Sequence, residues 1–141
     1  MITLMRGLPG SGKSTKAATL AGVAVSADDY RYVNGTYDTT PGRGIEAHGR
    51  CQSEAVALLY GSDCDVVIDN TNCTLGEMVF YARLALMFDQ DLMLIDLFDA
   101  GLSDEELAAR TKHSVPVAVI AAMRAKYWRG YVDELLAYAG T

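Results

Sequence analysis

The chain has 141 residues, 50% hydrophobic and 21% charged, with 13 Gly and 3 Pro; that suffices for one sizeable core and excludes a disordered, collagen-like or low-complexity polymer. Its formal net charge of −6 argues against wholesale coating of nucleic acid, because binding through phosphate neutralisation needs clustered Lys and Arg. A local basic cleft on an acidic body is compatible with that balance.

Short apolar runs alternate with longer helical stretches, which predicts one α/β domain over residues 1–141 with a mostly parallel sheet of four to five strands between helical layers. Residues 2–5 form a first buried strand, residues 7–12 a Gly-rich turn, and residues 13–21 a helix. Such a start suits neither a signal peptide nor a membrane span, and the chain reads as soluble and intracellular. Residues 23–26 form a second short strand ending at Asp28-Asp29. Asn34-Gly35, Pro41-Gly42 and Gly44 make residues 32–44 a surface loop. A helix over 45–60 closes at Gly61. Residues 65–69 form a third strand running into Asn70-Thr71-Asn72, residues 75–88 a helix, and residues 92–98 a fourth strand. Ser103 with Glu106 three positions on is a capping-box pattern, and acidic residues fill that first turn. Pro116 opens a further helix to about residue 127, and residues 130–139 form a last short one. Cys51, Cys64 and Cys73 are odd in number and lack metal-ligand spacing, so they are expected as reduced, mostly buried thiols of a reducing cytoplasm.

The run Gly7-Leu8-Pro9-Gly10-Ser11-Gly12-Lys13-Ser14, followed by Thr15, fits G-x-x-x-x-G-K-[ST] between a strand and a helix. Glycines let the backbone wrap an anion so that successive N–H groups point at phosphate oxygens, and the helix N-terminus adds its dipole. Lys13 is placed to reach β- and γ-phosphates and Ser14 to ligate Mg²⁺. Asp28 follows the second strand, at the carboxyl edge where ligands of open α/β sheets bind, and is the candidate base for an attacking hydroxyl. Arg31 is a candidate for holding an acceptor phosphate. Asp69 ends an apolar run in the manner of the carboxylate that holds the Mg²⁺ shell in phosphate-loop enzymes. Arg110, Lys112 and His113 form a basic cluster that a kinase could close over ATP.

Other features carry less chemistry. His48 lacks a nucleophile at suggestive spacing. Arg43 and Arg50 flank a segment able to meet an acidic substrate. Met87, Met93, Phe80, Tyr81 and Phe88 are expected in the core, Trp128 as packing, and Arg124, Lys126 and Arg129 as a solvated helix face.

Gly-Leu-Pro-Gly-Ser-Gly-Lys-Ser-Thr (7–15), Ser-Ala-Asp-Asp-Tyr-Arg (26–31), Val-Val-Ile-Asp-Asn-Thr-Asn (66–72) and Arg-Thr-Lys-His-Ser-Val-Pro (110–116) occur in that order. Together they resemble the kinase domain of phage polynucleotide kinase and its relatives over residues 1–128. Those relatives include a kinase-like domain of animal ubiquitin-ligase-binding proteins and small phage kinases that phosphorylate 5-hydroxymethyluracil in DNA. The resemblance implies a three-layer α/β/α P-loop kinase fold with a short helical lid, ATP and Mg²⁺ as cofactors, and nucleic acid, DNA in particular, as acceptor. It implies Lys13 and Ser14 on the phosphates and Mg²⁺, Asp28 as base, Arg31 near an acceptor phosphate, Thr71 near the acceptor, and Arg110 and Val115 flanking adenine. The lid is shorter than in phage polynucleotide kinase and lacks its second arginine, a role left to Lys112 or His113. Two acceptors fit, the hydroxymethyl of 5-hydroxymethyluracil inside DNA, which is favoured, and a 5′-hydroxyl end. A small-molecule kinase and an acceptor-less nucleotide switch are the competing classes.

Overall fold

The computed structural model describes residues 1–141. The buried run Ile2–Arg6 forms β1, one of the two inner strands of a four-stranded, fully parallel sheet in the order β2–β5–β1–β6. The partners are β2 (Val23–Val25), β5 (Val66–Asp69) and β6 (Leu92–Asp96). Ile2 faces both Val66 and Leu92, and Met5 faces Asp69. Alternation along β1 sends Ile2 and Leu4 to one face and Met5 to the other.

The two faces are covered unequally. On one, Ile2, Leu4, Val66 and Ile68 pack under α2 (Pro41–Gly61), α3 (Leu75–Met87) and α6 (Val132–Ala139). On the other, Met5 and Val67 meet chiefly Ala17 of α1 (Lys13–Ala17). A third apolar cluster closes the carboxyl edge, where Leu8 packs with Leu107 of α4 (Asp104–Arg110) and Ile120 of α5 (Val117–Ala125). The Ser103–Glu106 capping box forms as expected, and a second joins Thr74 to Glu77 at α3. All three cysteines are free, with Cys51 and Cys73 buried. No helix is long and apolar enough to cross a membrane.

Several expectations are corrected. Residues 32–44 are not one loop. Tyr32–Val33 (β3) and Thr36–Tyr37 (β4) form an antiparallel hairpin around Asn34 and Gly35, both left-handed, and α2 begins at Pro41. A proline is well placed in a first helical turn, and the Asp38 carboxylate accepts the Thr40 N–H at 2.9 Å just before it. The buried stripe Gly44, Ala47, Cys51 and Ala55 shows why the helix starts early, since its first turn already packs inward. Helix α1 ends at Ala17 rather than 21, and β6 at Asp96 rather than 98. Met87 (75% exposed) and Met93 (43%) lie on the surface instead of in the core. Arg124 is not free on a solvated face: it pairs with Asp99 at 2.6 Å and Asp104 at 2.8 Å, tying α5 to the start of α4.

Beneath the carboxyl edge lies Arg6, fully buried. Its guanidinium donates to the carbonyls of Asn72 (2.9 Å), Cys73 (3.3 Å) and Trp128 (2.7 Å) and to the Asp96 carboxylate (2.8 Å), packed on the Tyr127 and Trp128 rings. Asp96 thus serves this clamp, together with the Tyr127 hydroxyl that donates to it at 2.6 Å.

Candidate active site

β1 delivers the Gly-rich turn to the sheet edge, and its neighbours fix it there. The Gly7 N–H donates to the Thr71 carbonyl at 3.1 Å and the Leu8 N–H to the Phe98 carbonyl at 2.8 Å. The Leu8 side chain is fully buried and anchors the turn from behind. Gly10 takes φ +83°, and a Cβ there would run into the Leu107 carbonyl of α4. The Ser11 hydroxyl is buried with no hydrogen-bond partner, an orphaned polar group that a phosphate oxygen would satisfy.

The Lys13 ammonium donates back to the Leu8 carbonyl at 3.2 Å. Burial lowers its pKa from the usual lysine range, opposed by the charges of Asp69, Cys73 and Asp28. Burial likewise raises the Asp69 carboxyl, while a hydrogen bond from Ser14 and the nearby Lys13 charge pull it down. Ser14 and Asp69 are therefore neighbours. No cluster of three His, Cys, Asp or Glu is present to hold a metal outright. Two hard oxygen donors are instead the set that Mg²⁺ takes when substrate phosphates and water complete its shell. The orphaned Ser11, the glycine-walled turn and this pair all fit a Mg²⁺-nucleoside triphosphate.

Asp28 lies on a 3₁₀ turn, Ala27–Tyr30, directly after β2. The Ser26 hydroxyl accepts the Asp28 N–H at 3.3 Å, and the Asn70 side-chain oxygen accepts the Ala27 N–H at 2.8 Å, so the turn is held from β5. The Asp28 carboxylate is half exposed, with one oxygen accepting from the Tyr37 hydroxyl at 2.7 Å and the other 3.7 Å from His113 Nε2.

These groups open onto one cleft of about 480 Å³. Of the residues singled out in the sequence, Pro9, Gly10, Gly12, Lys13, Ser14, Thr15, Asp28, Arg31, Asp69, Arg110, Lys112 and Val115 line it, whereas Gly7, Leu8 and Ser11 of the turn do not. Asn70 and Thr71 also line it; Asn72 is buried and donates to the Met5 carbonyl at 2.8 Å. The lining carries four Lys or Arg against two Asp on a chain whose net charge is −6. Arg110 ends α4 with Nη2 4.0 Å from where a Gly12 Cβ would sit, beside the phosphate turn. The lid segment 111–116 carries Lys112, exposed, and Val115, whose N–H donates to Thr111 Oγ1 at 3.0 Å.

Arg31 is engaged otherwise than sequence alone suggested. Its Nη1 donates to the Asp38 carbonyl at 3.0 Å, and its guanidinium packs on Gly44, where any Cβ would overlap it, so it also fastens the hairpin to α2. Arg43 and Arg50 pair with Glu46 on the flank of α2, away from the cleft, whereas His48 lines it. Tyr37 was missed. The Asn34-Gly35 pair was its available signal, since a two-residue loop of that type sets Tyr32 opposite Tyr37.

A glycine-walled phosphate turn on a parallel strand, a Lys–Ser–Asp set beside it and a carboxylate across the cleft define a P-loop kinase-like domain. The chain belongs to the AAA-domain family, whose pattern matches residues 2–129. It is 35% identical over 135 residues to human NEDD4-binding protein 2, covering 92% of this chain and 8% of that protein. Its fold resembles a chain in the structure of the Pnkp1/Rnl/Hen1 RNA repair complex, with a TM-score of 0.66 at 24% identity, over 99% of this chain and 44% of that one. The chain thus spans only a small part of the first and under half of the second.

Proposed function

We propose that residues 1–141 form one ATP- and Mg²⁺-dependent kinase domain that transfers the γ-phosphate of ATP to a hydroxyl on nucleic acid. The observation that carries this is the convergence of Lys13, the Ser14–Asp69 pair and Asp28 on a single cleft with more cationic than anionic groups. In this scheme the turn N–H groups and Lys13 hold the phosphates, and Arg110 and Lys112 add positive charge from the lid. Ser14 and Asp69 would hold Mg²⁺, which would supply charge neutralisation on the phosphates. The acceptor oxygen bonds to the γ-phosphorus as the bond to the β–γ bridging oxygen breaks, and Asp28 takes the hydroxyl proton. The products are ADP and a phosphate monoester.

The favoured acceptor is the hydroxymethyl group of 5-hydroxymethyluracil within DNA. Asp28 sits at the open mouth of the cleft among Tyr32, Tyr37 and His113, surroundings that suit a flat base carrying its hydroxyl on a short arm. Such a base must leave the stack or be met in the groove. A 5′-hydroxyl end is the second reading, favoured by the fold shared with a chain of an RNA repair complex.

The test follows γ-labelled phosphate onto a 5′-blocked duplex with internal 5-hydroxymethyluracil, a 5′-hydroxyl oligonucleotide, and free nucleosides. Label on the blocked duplex supports the favoured acceptor, and label on the 5′-hydroxyl oligonucleotide alone replaces it with end phosphorylation. Label on neither DNA refutes the nucleic-acid reading. Asp28→Asn should retain ATP binding and lose transfer by about 10²-fold or more.

A further inference from the structure

The β3–β4 hairpin has two residues per strand, too few to be stable alone, so contacts elsewhere must hold it. They come from Arg31, which ties Asp38 and Gly44 together behind the hairpin, and from the lid. The His113 ring stacks on Tyr37 with centroids 3.9 Å apart and planes 10° from parallel, and Tyr32 meets both rings edge-on. His113 Nδ1 is 3.3 Å from the Tyr32 hydroxyl, and Nε2 faces Asp28 at 3.7 Å. Every hydrogen bond, ion pair and ring contact of His113 therefore crosses the cleft, and none is made within the lid. An imidazole on the lid thus covers two things at once: a flat aromatic face and the second oxygen of Asp28.

The Tyr37 hydroxyl occupies the first oxygen. It is a committed donor, because burial and the hydrogen bond to Asp28 raise its pKa beyond the usual tyrosine range. A carboxylate with one oxygen pinned cannot rotate freely, so its other oxygen keeps a fixed direction. Lifting the lid would release that oxygen and the Tyr37 ring face together, one beside the other.

Resting on the kinase reading above, we propose that Tyr37 is the positioning residue of the acceptor side. Its hydroxyl aims Asp28, and its ring, covered by His113 with the lid down, receives a planar ring of the acceptor. The acceptor class this selects is a nucleobase, or another flat heterocycle, that carries its hydroxyl close to the ring. An edge of His113 already lies within 3.7 Å of the free oxygen while stacked, so a ring in its place brings a short-armed hydroxyl within reach of Asp28.

The experiment measures transfer, using whichever DNA acceptor the unmodified chain labels, with Tyr37→Phe, Tyr37→Leu and His113→Ala, and ATP binding measured in parallel. Tyr37→Phe keeps the ring and should lower kcat about tenfold, the effect of one charge-assisted hydrogen bond, with acceptor KM unchanged. Tyr37→Leu should also raise acceptor KM about tenfold, from the loss of base stacking. His113→Ala removes the competing ring and should lower acceptor KM. Two results overturn the proposal while leaving the kinase reading intact: kcat within twofold for Tyr37→Phe with KM unmoved by Tyr37→Leu, or loss of ATP binding in Tyr37→Phe, which would make the hairpin merely structural. Failure of the unmodified chain to label any acceptor would overturn the kinase reading itself, and this inference with it.

Discussion

Replacing Arg6 by Ala removes a side chain that sits at 0% exposure and satisfies four acceptors at once. The buried Asn72 carbonyl loses its only donor, whereas the buried Cys73 carbonyl keeps the Trp128 N–H at 2.8 Å. An orphaned buried acceptor costs about 1–3 kcal/mol. Breaking a buried ion pair costs about 3–5 kcal/mol, but the Asp96 side chain is 34% exposed and water can take over part of the guanidinium's role, so its share falls to the low end or below. One orphaned carbonyl at the lower bound, a partly solvated carboxylate and the cavity left between Tyr127 and Trp128 give a loss of about 3 kcal/mol. That is a large fraction of the ~5–15 kcal/mol that a domain of this size has. Urea unfolding followed by far-UV circular dichroism gives the difference directly. Asp96→Asn keeps Arg6 on its three carbonyls but removes the counter-charge of a buried guanidinium, so it should cost about 2 kcal/mol, less than Arg6→Ala. A cost below about 1.5 kcal/mol for Arg6→Ala, or equal costs for the two variants, would refute the view that the carbonyls add to this clamp. Arg6 also precedes the phosphate turn and holds the segment after α5, so Arg6→Ala should weaken ATP binding even where the protein is still folded.

Lys13→Met should abolish ATP binding, and it should also stabilise the ligand-free chain at pH 7. Burial lowers the folded pKa of Lys13 below the unfolded 10.5, so the charged form is disfavoured at neutral pH and wild-type stability recovers as pH rises toward that value; the gap between variant and wild type should therefore narrow between neutral pH and about 10.5 in urea titrations. A constant gap would show that burial of the charge is not its cause. Gly10→Ala should destabilise by about 2 kcal/mol or more, from strain at φ +83° and the Leu107 carbonyl, and should remove the thermal shift given by Mg²⁺-ATP.

The phosphate turn was legible because its chemistry is written in eight consecutive residues and depends on local backbone geometry. The sheet was legible for a similar reason. Runs such as residues 2–5, polar only at Thr3, and 66–68 are nearly continuous apolar stretches, as a parallel strand buried on both faces must be, and the charged residue after each, Arg6 or Asp69, marks the carboxyl edge. The Ser103–Glu106 cap is equally local. Asp28 and Asp69 could be placed at that edge because each closely follows a short apolar run.

What tertiary structure decided depends on residues distant in the chain. Nothing near Arg6 in the sequence tells that its guanidinium ends against Trp128, 122 positions away, and a strand-terminal arginine otherwise reads as solvated. Residues 32–44, rich in Gly, Pro and Asn, have the composition of a loop. They become a hairpin and a helical turn because Arg31 fills the space over Gly44 and a lid histidine, 81 positions beyond Tyr32, stacks against the two tyrosines. Local sequence sets the backbone preferences that build each element and its phosphate-binding end. Which side chains share a buried pocket or close a cleft is set by how those elements pack, and only the folded chain brings Asp28, Tyr37 and His113 together.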